Sequence, residues 1–293
     1  MKAFVFPGQG SQFPGMGYDL YKSNEKVKSL FNEADDVLGF ALSNVMFNGN
    51  EEELKQTKIT QPAIFLHSIA KLSVLQETHS PSAVAGHSLG EFSSLVANNT
   101  ISFEDGLKLV FLRSKAMQKS CESSNGIMAA ILGLDDKTIK ETCESFDGNV
   151  TAANFNCPGQ VVISGELNAV KKICEKFNEI GARRSILLPV GGAFHSNLMN
   201  DAKSELKEAI HKTKFNNPSC PIYQNFTAQK TTNIDIIKEN LINQLTAPVL
   251  WTQTINNMVD DGYLDYIEVG PGKVLQGLIR KINRETTTQS VLS

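Results

Sequence analysis

The stretch Val84-Ala85-Gly86-His87-Ser88-Leu89-Gly90-Glu91-Phe92 constrains the fold more than any other. A short apolar run, Ala83 to Ala85, enters Gly-x-Ser-x-Gly, and a helix-like run follows from Leu89 to Ala97. Strand, tight turn and helix in that order make a nucleophile elbow, whose serine hydroxyl projects into a cleft at the helix start. The flanking glycines let the turn close and neighbouring backbone approach. N–H groups in the first helical turn have no intrahelical acceptor, and that of Leu89 points where an oxyanion would form. A Gly/Ser pattern this short also arises by chance, so the strand before it and the helix after it carry the reading. Together they predict an α/β fold with a mainly parallel sheet.

At 293 residues the chain has room for a large core, and either one large domain or a main domain with an insert is expected. Hydrophobic residues make up 41% and charged residues 20%, ordinary values for a globular protein. The net charge of -3 gives no electrostatic case for nucleic acid or for an anionic membrane surface. No apolar run approaches the ~20 residues that span a bilayer. The chain enters Lys2-Ala3-Phe4-Val5-Phe6 without a signal-peptide pattern, so a cytoplasmic protein is expected. Cys121, Cys143, Cys157, Cys174 and Cys220 are odd in number, widely spaced and without a C-x-x-C. They read as reduced thiols rather than a disulfide frame or a zinc site, and no metal is implied.

Ala3 to Phe6 predicts a strand running into Pro7-Gly8-Gln9-Gly10-Ser11-Gln12, whose Gly and Pro spacing marks a turn. It matches neither G-x-x-x-x-G-K nor G-x-G-x-x-G, so we read it as a loop laying backbone beside the Ser88 turn. Helical patterns follow over 27–38 and 51–55. Pro62 is expected to open a longer helix through Leu75, since proline suits a first helical position; His67 in it reads as a packing or surface residue. Ser102-Phe103-Glu104-Asp105 reads as a capping box for a helix through about Lys119, buried around Leu109-Val110-Phe111-Leu112.

From 127 to 189 the rhythm changes. Strands are expected over 127–132, 150–154, 161–164 and 184–189, with helices over 135–145 and 167–179. That βαββαβ order is ferredoxin-like. We therefore expect residues 125–189 to form an inserted ferredoxin-like subdomain walling one side of a cleft. Residues 1–124 and 190–293 would build a hydrolase-like main domain around the mainly parallel sheet. Asn154 to Gln160 is expected to be the turn joining the middle strands of the insert, with its amides within reach of the cleft. Further on, helices are expected over 197–211, over 236–244 and after Trp251. A last strand over 263–269 and a final helix through Ile282 complete the reading.

Two polar residues stand out against this frame. Arg113 directly follows an apolar helical run, and a buried guanidinium is costly without an anionic partner. The partner is either an internal carboxylate or a ligand carboxylate held bidentately; snorkelling to water is a third solution. His195 follows Val190-Gly191-Gly192-Ala193-Phe194 and precedes a helix, where the dipole favours the neutral ring that a general base needs. A capping or buried structural histidine fits the same spacing.

With the elbow and Ala193-Phe194-His195-Ser196 both read, the sequence resembles the malonyl-CoA:acyl-carrier-protein transacylase family, whose fold also serves as the acyltransferase domain of fatty-acid and polyketide synthases. The resemblance runs through Phe6-Pro7-Gly8-Gln9-Gly10-Ser11-Gln12, the elbow, Arg113-Ser114-Lys115-Ala116-Met117-Gln118, Asn156-Cys157-Pro158-Gly159-Gln160, the His195 segment and Glu268-Val269-Gly270-Pro271-Gly272. These segments, in that order, cover essentially the whole chain. The resemblance implies that Ser88 takes a malonyl group from coenzyme A as an ester. It implies that His195 activates Ser88, protonates the departing thiol and then activates the phosphopantetheine thiol of acyl carrier protein. It further implies an oxyanion hole from the backbone N–H groups of Gln9 and Leu89, an Arg113 that pairs with the malonyl carboxylate, and a Met117 beside the acyl group. A main-chain carbonyl from Leu250 would orient the imidazole, at a position where many relatives carry Gln. Phe194 matches the malonyl-selecting form of its motif, and its ring should disfavour an α-methyl branch by about 1–3 kcal/mol. Coenzyme A and phosphopantetheine enter as acyl carriers, so no cofactor is implied. A monomer that meets malonyl-CoA and, transiently, acyl carrier protein is expected. Two other readings stay open: a serine hydrolase or thioesterase with water as acceptor, and a non-catalytic carrier-protein-binding module.

Overall fold

The computed structural model describes residues 1–291. The chain opens with β1 (Lys2–Phe6), α1 (Tyr18–Ser23), α2 (Glu25–Leu38), α3 (Leu42–Asn48), α4 (Glu51–Lys55) and α5 (Thr57–Leu75), followed by β2 (Ala83–Gly86) and the elbow helix α6 (Gly90–Ala97). The long α7 (Phe103–Ser123) leads to β3 (Gly126–Leu132), α8 (Asp136–Ser145), β4 (Val150–Cys157), β5 (Gln160–Glu166), α9 (Leu167–Glu179) and β6 (Arg184–Leu187). The remainder is α10 (Asn200–Lys212), β7 (Ile222–Tyr223), β8 (Lys230–Thr231), α11 (Ile234–Gln244), α12 (Trp251–Asp260), β9 (Asp265–Glu268), α13 (Val274–Ile282) and β10 (Thr287–Ser290).

Six strands form a mainly parallel sheet in the order β10-β9-β1-β2-β7-β8, with only β7 and β8 antiparallel. Ala3 to Phe6 and Ala83 to Gly86 are buried throughout, as strands covered on both faces must be. Register pairs Phe6 with Gly86, so β1 and β2 end level and their following loops leave the sheet side by side. The carboxyl edge of parallel strands is where such sheets bind ligands.

A separate antiparallel sheet has the order β4-β5-β3-β6. Its side chains alternate between two faces, as the period of two requires. Ala129, Ile131, Val161 and Ile163 pack with Ile139 of α8 and Ile173 and Phe177 of α9, while Met128, Ala130 and Val162 join the core of the main body. Backbone bonds tie the two parts: Phe155 N–H donates to Val249 O (2.9 Å), and Val249 N–H to Ala153 O (2.8 Å).

Several expectations change. Helix α5 begins at Thr57, with Pro62 inside it and buried. Proline there forfeits only its own N–H bond, and the first turn is already anchored by Ile59 and Thr60 N–H groups on Gln56 O. The turn expected over 154–160 is largely strand. β4 runs to Cys157 through two register irregularities, and Pro158-Gly159, with Gly159 at φ 75°, makes the reversal. The strand near 263–269 is not the last. β10 adds a further edge in parallel with β9, and its sequence Thr-Thr-Gln-Ser lacks apolar alternation because it is half exposed. All five cysteines are free and buried. Among the described residues no helix is long and apolar enough to cross a membrane.

Candidate active site

Backbone crowding shapes the elbow. A Cβ on Gly86 would overlap the carbonyl group of Gly90, and one on Gly90 would overlap Phe6 O. Ser88 sits between them at φ 51°, a left-handed conformation rare for a residue with a side chain. His87 N–H donates to Phe6 O (2.9 Å), and Gly8 packs on His87 O, so the loop after β1 lies against the elbow as expected. The N–H groups of Gln9 and Leu89 donate to nothing among the described residues, and both residues line the cavity in front of Ser88. The Ser88 N–H is not available to a ligand, because it donates to Asn225 Oδ1 (2.6 Å).

Ser88 Oγ lies 2.8 Å from His195 Nε2. His195 Nδ1 is 2.9 Å from Gln244 O; a carbonyl only accepts, so Nδ1 carries the proton and Nε2 is free to take one from the serine. The ring is 3% exposed. Burial, and then the positive charge of Arg113, push its pKa down to about 3. Neutrality thus comes from desolvation and a neighbouring cation rather than from the helix dipole that the sequence suggested: Ser196 caps only a three-residue 3-10 turn ahead of α10. The expected carbonyl of Leu250 is not the acceptor. Leu250 O accepts Thr254 N–H (2.8 Å) to begin α12, and its side chain packs on the antiparallel sheet. Gln244 ends α11, where carbonyls lack intrahelical donors, so its oxygen, which otherwise accepts only a long bond from Ala247 N–H (3.4 Å), can take the imidazole.

Arg113 is 1% exposed. It donates to Gln61 Oε1 (2.7 Å), Gln244 Oε1 (3.1 Å) and Ser88 Oγ (3.1 Å), and its Nε is buried without a partner. Among the described residues no carboxylate lies within 4.0 Å of the guanidinium, which excludes the internal ion pair and the snorkelled side chain together. Desolvation lowers its pKa to about 10, so it stays charged at neutral pH. Glu91 is the acid whose charge acts on Arg113, yet burial raises its pKa to about 8, leaving it mainly protonated. The guanidinium thus has no carboxylate in contact among the described residues, and burial biases Glu91 toward its neutral form, an arrangement suited to an anionic ligand group.

These groups face a cavity of about 400 Å³ between the two sheets. Met117 and Phe194 line it, both nearly fully buried, and Met117 Sδ accepts from Gln61 Nε2 (3.3 Å). Met128 and Val162 of the antiparallel sheet form the opposite wall. Asn156 reaches His87 Nε2 (2.8 Å), which couples that sheet to the elbow. Sequence reading passed over Gln61 and Gln244. Each is a fully buried amide among mainly apolar buried neighbours, Gln61 beside Ile64 and Phe65 and Gln244 seven residues after Ile237 and three after Leu241, with Ser68 and Asn240 as further buried polar residues on those faces. That misfit of a polar side chain in an apolar stripe was the available signal.

Comparison with known proteins places this geometry. The model of the acyl transferase domain family matches residues 3–292. The malonyl CoA-acyl carrier protein transacylase of Bacillus subtilis (strain 168) is 44% identical over 293 residues, covering 99% of this chain and 92% of the relative. An acyl carrier protein S-malonyltransferase from Vibrio cholerae superposes with a TM-score of 0.94 at 41% identity, over 99% of this chain and 96% of that one. A malonyl-transacylase in complex with its type II PKS acyl-carrier protein superposes with a TM-score of 0.95 at 38% identity, over 99% and 95%. The chain belongs to the acyl transferase domain family, among its malonyl CoA-acyl carrier protein transacylases.

Proposed function

We propose that this chain moves a malonyl group from coenzyme A, through an ester on Ser88, to the phosphopantetheine thiol of acyl carrier protein, supplying fatty-acid synthesis. The observation that carries the reading is the Ser88–His195 couple set beside a buried Arg113 that no carboxylate contacts among the described residues. His195 Nε2 takes the Ser88 proton as Oγ attacks the thioester carbonyl, and the Gln9 and Leu89 N–H groups receive the oxyanion. The imidazolium, disfavoured by burial and by Arg113, passes its proton to the departing thiolate. The second half-reaction repeats these steps with the carrier thiol as nucleophile. Arg113 holds the malonyl carboxylate beside the serine to which it already donates. Met117 and Phe194 bound the acyl group, and Phe194 crowds an α-methyl branch.

We read the antiparallel part, 125–189, as a ferredoxin-like subdomain inserted in a hydrolase-like main domain of 1–124 and 190–293. The element order β3-α8-β4-β5-α9-β6 supports that reading. We also assign the chain as a cytoplasmic monomer whose acyl carriers are substrates rather than resident cofactors. The relative bound to its acyl-carrier protein supports a carrier protein as the partner.

The test is intact-protein mass after brief mixing with malonyl-CoA or acetyl-CoA. A malonyl increment absent from Ser88→Ala, with little acetyl increment, is the expected result. Release of free coenzyme A with no increment on the protein would replace the proposal with a hydrolase.

A further inference from the structure

Asn225 takes no part in the steps above and does not line the cavity, yet four of its polar groups are spent around the elbow. The residue follows β7 and is fully buried. Its Oδ1 accepts the Ser88 N–H (2.6 Å), and its Nδ2 donates to Gly86 O (2.7 Å), so one amide grips the turn on both sides of the nucleophile. Its own N–H donates to Glu91 Oε1 in the first turn of α6, and its carbonyl accepts Leu250 N–H (3.1 Å) at the start of α12. Glu91 is itself fully buried, so this bracing sits under the elbow, away from solvent.

Ser88 at φ 51° occupies a region that persists only where the surroundings over-determine it. The glycines on either side permit the turn, but permission does not select it; they are equally free to relax. The Asn225 amide matches the Ser88 donor and the Gly86 acceptor only in the bent form. We propose that Asn225 is the positioning residue of this active site: its side chain locks the elbow so that Ser88 Oγ points at His195 Nε2 and away from the sheet. The proposal rests on the acyl-serine reading above. It also accounts for an oxyanion hole drawn from Gln9 and Leu89, since the intervening serine N–H is held on the far side by Asn225.

The experiment is a quenched-flow time course of malonyl-CoA with the full chain, read by intact mass. It yields separately the fraction of protein acylated and the rate at which that fraction forms. For Asn225→Ala the fraction should stay near that of the parent, while the acylation rate falls about 10²-fold, the loss that a displacement of about 1 Å produces. The malonyl-CoA concentration giving half-maximal rate should change little. Asn225→Asp preserves volume and the Oδ1 acceptor while removing the donor to Gly86 O, and should retain more of the rate than Asn225→Ala. It provides the same readout should the alanine variant fail to fold. A parental rate in the folded variants, or a lower acylated fraction that still reacts at the parental rate, would overturn the proposal and leave Asn225 a structural residue. Failure of the parent itself to acquire the malonyl increment would instead refute the acyl-serine reading.

Discussion

Arg113→Ala is the perturbation that separates a carboxylate clamp from a structural arginine. The guanidinium is 1% exposed and makes three hydrogen bonds, one of them to the reacting Ser88 Oγ. Removing one partner of a buried ion pair costs about 3–5 kcal/mol, because the other charge stays buried and unpaired. At about 1.4 kcal/mol per tenfold, kcat/KM for malonyl-CoA should fall by roughly 10²-fold to several thousandfold. Acetyl-CoA carries no carboxylate into the site, so its transfer should hold within about threefold or improve, as the lost guanidinium leaves a larger and less polar pocket. The substitution also leaves Gln61 Oε1 and Gln244 Oε1 without a donor, at about 1–3 kcal/mol each, partly offset by removal of a buried charge. A thermal melt must therefore accompany the kinetics. The assay is steady-state transfer to acyl carrier protein with each thioester, at a temperature where both proteins are folded. Equal losses on the two substrates would refute the clamp and make Arg113 part of the scaffold.

Other outcomes follow from the same geometry. His195 stays neutral down to about pH 3, so acylation should remain flat from about pH 7 to about pH 5; a half-loss near the ordinary histidine pKa of about 6.5 would show that the ring is not desolvated. Glu91 has its pKa raised by burial to about 8 against an unfolded value of 4.5. The folded state then binds the extra proton between those values, and stability falls as pH rises through that window. Glu91→Gln should flatten this part of the curve of melting temperature against pH, and an unchanged slope would place the titration elsewhere. Gly90→Ala drives a Cβ into Phe6 O and should destabilise by about 1–3 kcal/mol or more, with loss of acylation. Gly277→Ala in α13 meets nothing within 4 Å and should gain about 0.5–1 kcal/mol, measured by urea titration against the parent.

The parts of the molecule that were legible in the sequence are those where one local rule dominates. Gly86 and Gly90 mark the elbow because backbone occupies the space of their side chains. The strands at 127–132 and 161–164 declare themselves because each shows one face to helices and the other to the main core. β7 and β8 have two residues each, too few for any period, and β10 is an edge strand whose polar residues leave no pattern. In the site, Ser88, His195 and Arg113 lie within distinctive local strings. Gln61, Gln244 and Asn225 do not, since each acts through a partner 52 to 156 residues away, and such pairings are settled by packing alone. The Leu250 expectation failed for a related reason: two carbonyls six residues apart look alike in sequence, and only the start of α12 decides which is already occupied.

The separations along the chain of those bonded pairs also bear on folding. Ser88 meets His195 across 107 residues, Arg113 meets Gln244 across 131, and Gln244 meets Ser88 across 156. Closing each of these loops sacrifices chain entropy before any of the site's contacts exist, and a parallel sheet whose strands come from both ends of the sequence delays them further. Catalytic competence is thus a property of the completed chain. Helical signal should return early in refolding, and acyl-enzyme formation should return last and all at once, making the serine ester a chemical clock for the final step of assembly.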